Sequence, residues 1–257
     1  MNGTLAIFKK EMRAYFNSPL AHVIITVLLL VMGLFFYLYC LVFAQSSGRA
    51  MFGQGQAMSV DTMISNYLQN LGFIINFATP FLAMRLFSEE KRQHTMELLL
   101  TAPVTSFQIV LAKFFSVWAL FFVMVTLCSL HLLFPIMWGN PEIPTLLTSL
   151  LGVFLMVGSF LSVGLLITAC TSSQVVAGII GLIVVLFLYI ANFLGNQMNL
   201  KFGPIDIGAF VSYMTPLEHF QSFSQGVIHF KDLVYYFTFI SFFLFLTNKV
   251  IESNRWR

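Results

Sequence analysis

Residues 143–200 read IPTLLTSLLGVFLMVGSFLSVGLLITACTSSQVVAGIIGLIVVLFLYIANFLGNQMNL, and none of these fifty-eight residues is Asp, Glu, Lys or Arg. An α-helix needs roughly 20 apolar residues to cross a hydrocarbon core about 30 Å thick. The run is long enough for two crossings, and the polar turn Thr171-Ser172-Ser173-Gln174 divides it into spans of about Thr145–Ala169 and Val175–Leu194. Working outward, further uncharged runs cover Ala14–Gly48, Thr62–Met84, Phe114–Pro141 and Leu233–Asn248. They predict spans at about Leu20–Ala44, Leu68–Phe87, Phe107–Phe134 (ending before Pro135) and Leu233–Lys249. The expected fold is therefore all-α, a single polytopic membrane domain of six transmembrane helices over residues 1–257.

Composition supports this reading. Charged residues make up 9% of the chain, hydrophobic residues 58%, and thirty residues are Phe. A soluble domain carries about 25% charged residues, so the polar shell of a soluble protein is missing. A disordered chain and a basic nucleic-acid-binding domain are excluded on the same ground. The N-terminal apolar run is too long for a cleavable signal.

If the N-terminus is cytoplasmic and six spans alternate, ten basic residues fall inside and three (Arg49, Lys201 and Lys231) outside, while the ten acids divide evenly. That asymmetry satisfies the positive-inside rule and predicts that both termini are cytoplasmic. Before the first span, Leu5, Phe8, Met12 and Phe16 form one stripe flanked by Lys9, Lys10 and Arg13. Residues 1–18 are expected to form an amphipathic helix lying in the membrane interface, in contact with lipid. Gln45–Asp61 is expected to be an outer loop. Pro80 removes a backbone bond to Asn76 and predicts a local bend. Gly158 with Ser162, and Ala177 with Gly181, predict close helix packing. His131 is expected to hydrogen-bond at an interface. Segment 195–232 faces outside and is too apolar for a free loop, so short helices on the outer leaflet are expected before a short last span.

The chemistry-bearing residues are few. Cys40, Cys128 and Cys170 fit neither a zinc site nor a disulfide framework and read as small apolar core residues. The five His residues are scattered, and no H-E-x-x-H or G-x-S-x-G occurs, which argues against an intramembrane enzyme. No G-x-x-x-x-G-K-[ST] phosphate loop occurs either, so the chain is expected to bind no cofactor of its own. The uncharged span cores argue against an ion-coupled secondary transporter.

Residues 87–105, FSEEKRQHTMELLLTAPVT, hold the densest charges between two spans. Thr95 can cap a short helix, Glu97 suits its first turn, Met96, Leu98, Leu99 and Leu100 supply apolar surface, and Pro103 ends it. This stretch resembles the elbow and coupling helix of ABC-2-type transporter permeases, on Glu89, Glu90, Lys91, Arg92, Thr95, Glu97, Leu98, Leu99, Pro103 and Val104. His94 departs from the Gly that the family often has there. IFKKEMRAYFNSP (Ile7–Pro19) is similar to the family's N-terminal interfacial helix. His219–Trp256 is similar to the permease of gliding-motility-type ABC exporters. The resemblance implies a non-catalytic permease subunit in a bacterial inner membrane. It would pair with a second permease copy or homologue and a dimer of ABC ATPases that binds the ATP and Mg. An extracytoplasmic accessory protein is a further implied partner. A stand-alone secondary transporter or channel and a membrane scaffold are the alternative readings of the chain.

Overall fold

The computed structural model describes residues 3–53, 56–93, 104–197, 201–202 and 205–255. Six helices are long and apolar enough to cross a membrane. The chain opens with α1 (Gly3–Phe16), followed by the first long helix, α2 (Pro19–Met51). Then come α3 (Val60–Ala83), the short α4 (Ser88–Arg92) and α5 (Ser106–Ser129). A 3₁₀ turn, Leu130–Leu132, leads into α6 (Leu133–Gly139). Two long helices follow, α7 (Ile143–Cys170) and α8 (Gln174–Gln197). Lys201–Phe202 pairs antiparallel with Ile205–Asp206, a two-residue exception to an otherwise helical fold. The short α9 (Ile207–Tyr213) and α10 (Pro216–Ser224) precede α11 (Phe230–Arg255).

α7 and α3 form the centre. The most apolar stretch of α7 is 72% buried, against 11% for that of α2, so α2 presents most of its surface outward. Small residues set this packing. A Cβ at Gly181 of α8 would stand 2.8 Å from the Pro80 side chain of α3, and one at Gly164 of α7 would stand 2.9 Å from Ala83. Gly158 is equally tight, with Trp118 Nε1 3.0 Å from such a Cβ. Pro80 leaves the Asn76 carbonyl without its helical donor. The Thr79 hydroxyl supplies one at 2.7 Å, which lets α3 continue to Ala83 within the buried core.

Several expected boundaries move. Gln45–Met51 is helix, not loop, because falling hydropathy marks the end of a membrane core without breaking a backbone ladder. The helix stops where Gly53 adopts φ 72°. The next begins early because the Ser59 hydroxyl accepts the Thr62 N–H at 3.1 Å and Asp61 suits the first turn. Pro135 does not end its span. The 3₁₀ turn restarts the ladder, so Pro135 falls in the first turn of α6, where no N–H partner is required. The last span is not short: α11 has 26 residues, about 39 Å by helical rise. Of the cysteines, Cys128 is buried, but Cys40 is half-buried and Cys170 exposed, so the core reading holds for one. Segment 195–232 does contain two short helices, α9 and α10.

Candidate functional site

Lys113 is the most enclosed charge in the molecule's described part. It sits two turns into α5, with its side chain 1% exposed. A bare ammonium in that position would be costly, and its surroundings neutralise it. Its Nζ lies 2.9 Å from Glu11 of α1 and 3.0 Å from Glu90 of α4. It also donates to the Leu86 carbonyl and stands 5.1 Å above the Phe87 ring. Lys10 approaches Glu90 from the surface at 3.5 Å.

This knot gathers three elements that are far apart in sequence, and its neighbours extend it. Tyr15 of α1 donates its hydroxyl to the Leu82 carbonyl at 2.9 Å, and burial pushes that phenol well above its ordinary pKa. Arg85 bonds Glu89 at 3.1 Å and the Ser18 hydroxyl at 2.6 Å, joining the end of α3 to the start of α2. Lys91 donates to the Ala169 carbonyl in the last turn of α7, where a cation also suits the helix dipole. The short helix α4 is thus held by α1, α5 and α7, and Arg85 just before it by the N-cap of α2. Arg92 is exposed.

The predicted elbow residues are therefore unequal. Glu89 pairs with Arg85, and Glu90 pairs with Lys113 and Lys10. Thr95, Met96, Glu97, Leu98, Leu99 and Pro103 lie outside the described residues. Val104 packs against the core, beside Gly3. Thr105 and Gln108 form a capping box that starts α5. The T-x-x-Q pattern is visible in the sequence.

In α1 the docking face is Ile7 and Tyr15 with Glu11 between them, separate from the stripe expected to meet lipid. Of that stripe, Leu5 and Phe16 are exposed, and Phe8 and Met12 half-buried. Lys9 and Arg13 are exposed as well. The helix has two faces, and the sequence reading found the one that does not carry the polar contacts. Glu11 and Lys113 carried a signal only in retrospect: an acid on a helix face otherwise facing protein, and a base just inside an apolar span.

A profile of the ABC-2 family of transporter proteins matches residues 5–250. The chain belongs to that family. No curated protein matches it. As an ABC-2 family member it is an integral, multi-pass membrane protein and the membrane component of a transporter. The charge knot of this ABC-2 chain lies where α3 leaves the bundle and α5 enters it, on either side of residues 94–103.

The opposite end of the bundle holds two further polar features. A cavity of about 270 Å³ between α3, α7, α8 and α10 is lined by Gln69, Asn70, Asn192, Gln221 and Ser224 with Phe73 and Tyr189, and by no charged side chain. Beside it, His219 of α10 contacts the Asp232 carboxylate of α11 at 2.7 Å, and Ser222 donates to the same carboxylate. At the same end, His131 hydrogen-bonds Tyr67 at 3.0 Å and the Cys128 carbonyl at 2.9 Å. Among the described residues no group of three His, Cys, Asp or Glu could hold a metal ion.

Proposed function

We propose that this ABC-2 chain is the permease subunit of an ATP-driven exporter in a bacterial cytoplasmic membrane, with both termini cytoplasmic. The observation that carries the reading is the attachment of α4. Three separate elements grip its five residues and the N-cap of α2 holds Arg85 just before them, so a force on residues 94–103 reaches α3 and α5 at once. Interfaces and packed cores switch between arrangements rather than deforming continuously. A cytoplasmic ABC ATPase dimer, binding ATP and Mg, would push on residues 95–103 through Glu97, Leu98 and Leu99. The movement would pass through Glu89–Arg92 into the bundle. The opening would form against a second permease copy or homologue.

The uncharged cavity near Asn192 favours an amphipathic or uncharged cargo over an ionic one. The similarity of His219–Trp256 to gliding-motility-type permeases favours an extracytoplasmic accessory partner contacting segment 195–232. The exposed Leu5 and Phe16 and half-buried Phe8 and Met12, with Lys9 and Arg13, favour lipid contact by α1.

Co-purification tests the reading. An ABC ATPase encoded beside this chain is expected to come down with it. Glu97→Lys, or polar replacement of Leu98 and Leu99, is expected to weaken the pair. Transport by the purified chain with no ATPase present would overturn the proposal.

A further inference from the structure

On α11, away from the knot, Lys231, Val234, Thr238 and Phe242 follow one another at helical spacing, with Tyr235 and Phe239 beside them. They floor an open groove of about 650 Å³, walled on its other side by Tyr213 and Phe230. The lining is almost wholly apolar apart from Lys231 at one end. From Lys231 to Phe242 the helix rises about 16 Å. One leaflet of a hydrocarbon core about 30 Å thick has the same depth. The charge count places the Lys231 end outside, so the groove runs from the outer interface to the midplane.

The head of the groove is built rather than incidental. The His219 ring stacks on Tyr235 with centroids 3.8 Å apart and meets Tyr213 edge-on at 4.7 Å. Its Nε2 lies 3.0 Å from the Tyr213 carbonyl, and the Tyr235 hydroxyl donates to the Met214 carbonyl at 2.6 Å. Tyr213 and Tyr235 are therefore held in place before any ligand arrives. Asp232, the nearest carboxylate in sequence, is turned inward and engaged by His219 and Ser222. Lys231 is exposed and forms no ion pair among the described residues. The groove thus offers one acyl chain a fixed apolar wall of leaflet depth, and one phosphate a cation at interface level.

We propose that this groove is a binding site for a single phospholipid of the outer leaflet, with an acyl chain along Val234–Phe242 and the phosphate on Lys231. The site is independent of ATPase coupling.

The full chain, purified in an uncharged detergent, can be labelled with phosphatidylglycerol or diacylglycerol bearing a photoreactive group at the acyl end. Label from phosphatidylglycerol is expected on residues 234–242. It should exceed diacylglycerol label by about fivefold, the worth of one interfacial lysine. Lys231→Gln is expected to erase that preference. Thr238→Trp should remove label from both lipids, while Val176→Trp on the exposed face of α8 leaves it unchanged. Label spread over the exposed faces of α2 and α8, or a preference that survives Lys231→Gln, would overturn the site. Lys231→Gln changes an exposed side chain and decides the matter even if Thr238→Trp does not fold.

Discussion

Lys113 Nζ lies 3.0 Å from the Glu90 carboxylate, although residues 94–103 and the first two turns of α5 separate the two in sequence. Glu11 completes the contact at 2.9 Å from α1. A buried ion pair contributes little net stability over an apolar replacement, but removing one partner leaves a charge stranded. Lys113→Ala is therefore expected to destabilise by about 3–5 kcal/mol. Thermal unfolding in detergent reads this. Glu11→Gln with Glu90→Gln in the Lys113→Ala background should recover part of the loss, because no acid is then stranded.

Tyr15 ties α1 to the end of α3 through the Leu82 carbonyl. Tyr15→Phe keeps the ring and removes the donor from a buried carbonyl, at a cost of about 1–3 kcal/mol. Limited trypsinolysis at Lys9, Lys10 and Arg13 is expected to speed up, since α1 would detach more often. An unchanged cleavage rate would mean that Ile7 packing and the Glu11–Lys113 contact hold the helix without the Tyr15 hydroxyl.

At the opposite end, His219 and Asp232 lock α10 onto α11 at 2.7 Å, both nearly fully buried. The other ring nitrogen faces the Tyr213 carbonyl. Asp232→Ala leaves a buried imidazole nitrogen without its partner, with an expected loss of about 1–3 kcal/mol. Hydrogen exchange should rise first over Pro216–Ser224. A loss spread evenly over the bundle would contradict a local lock.

Gly181 faces Pro80 closely enough that a Cβ would stand 2.8 Å from it. Gly181→Leu is expected to cost about 1–3 kcal/mol by overpacking, measurable as a lower unfolding temperature. The same substitution at Gly48, where a Cβ meets nothing within 4 Å, should be tolerated.

How much of the fold was legible depends on which property marked it. The six long helices were readable because lipid admits few charges, so each uncharged run announced a crossing. Helix ends were less readable. Gln45–Met51 lost its apolarity and kept its helix, and Pro135 stood in a first turn that only the 3₁₀ restart created. The elbow was legible as a charge cluster at Glu89–Arg92. Its anchors were not, because Glu11 and Lys113 lie 79 and 23 residues from Glu90, separations that no periodicity links.

The sequence by itself determined that this chain has six segments long and apolar enough to cross a membrane, and where its charges gather. Those are consequences of transfer free energy, which each residue carries locally. Only the tertiary structure decided that Glu90 faces Lys113, that α1 docks by Ile7 and Tyr15 rather than by its apolar stripe, and that Asp232 turns toward His219 and leaves Lys231 outward. An ion pair fixes a distance between two charges, and that distance exists only once the helices carrying them have packed.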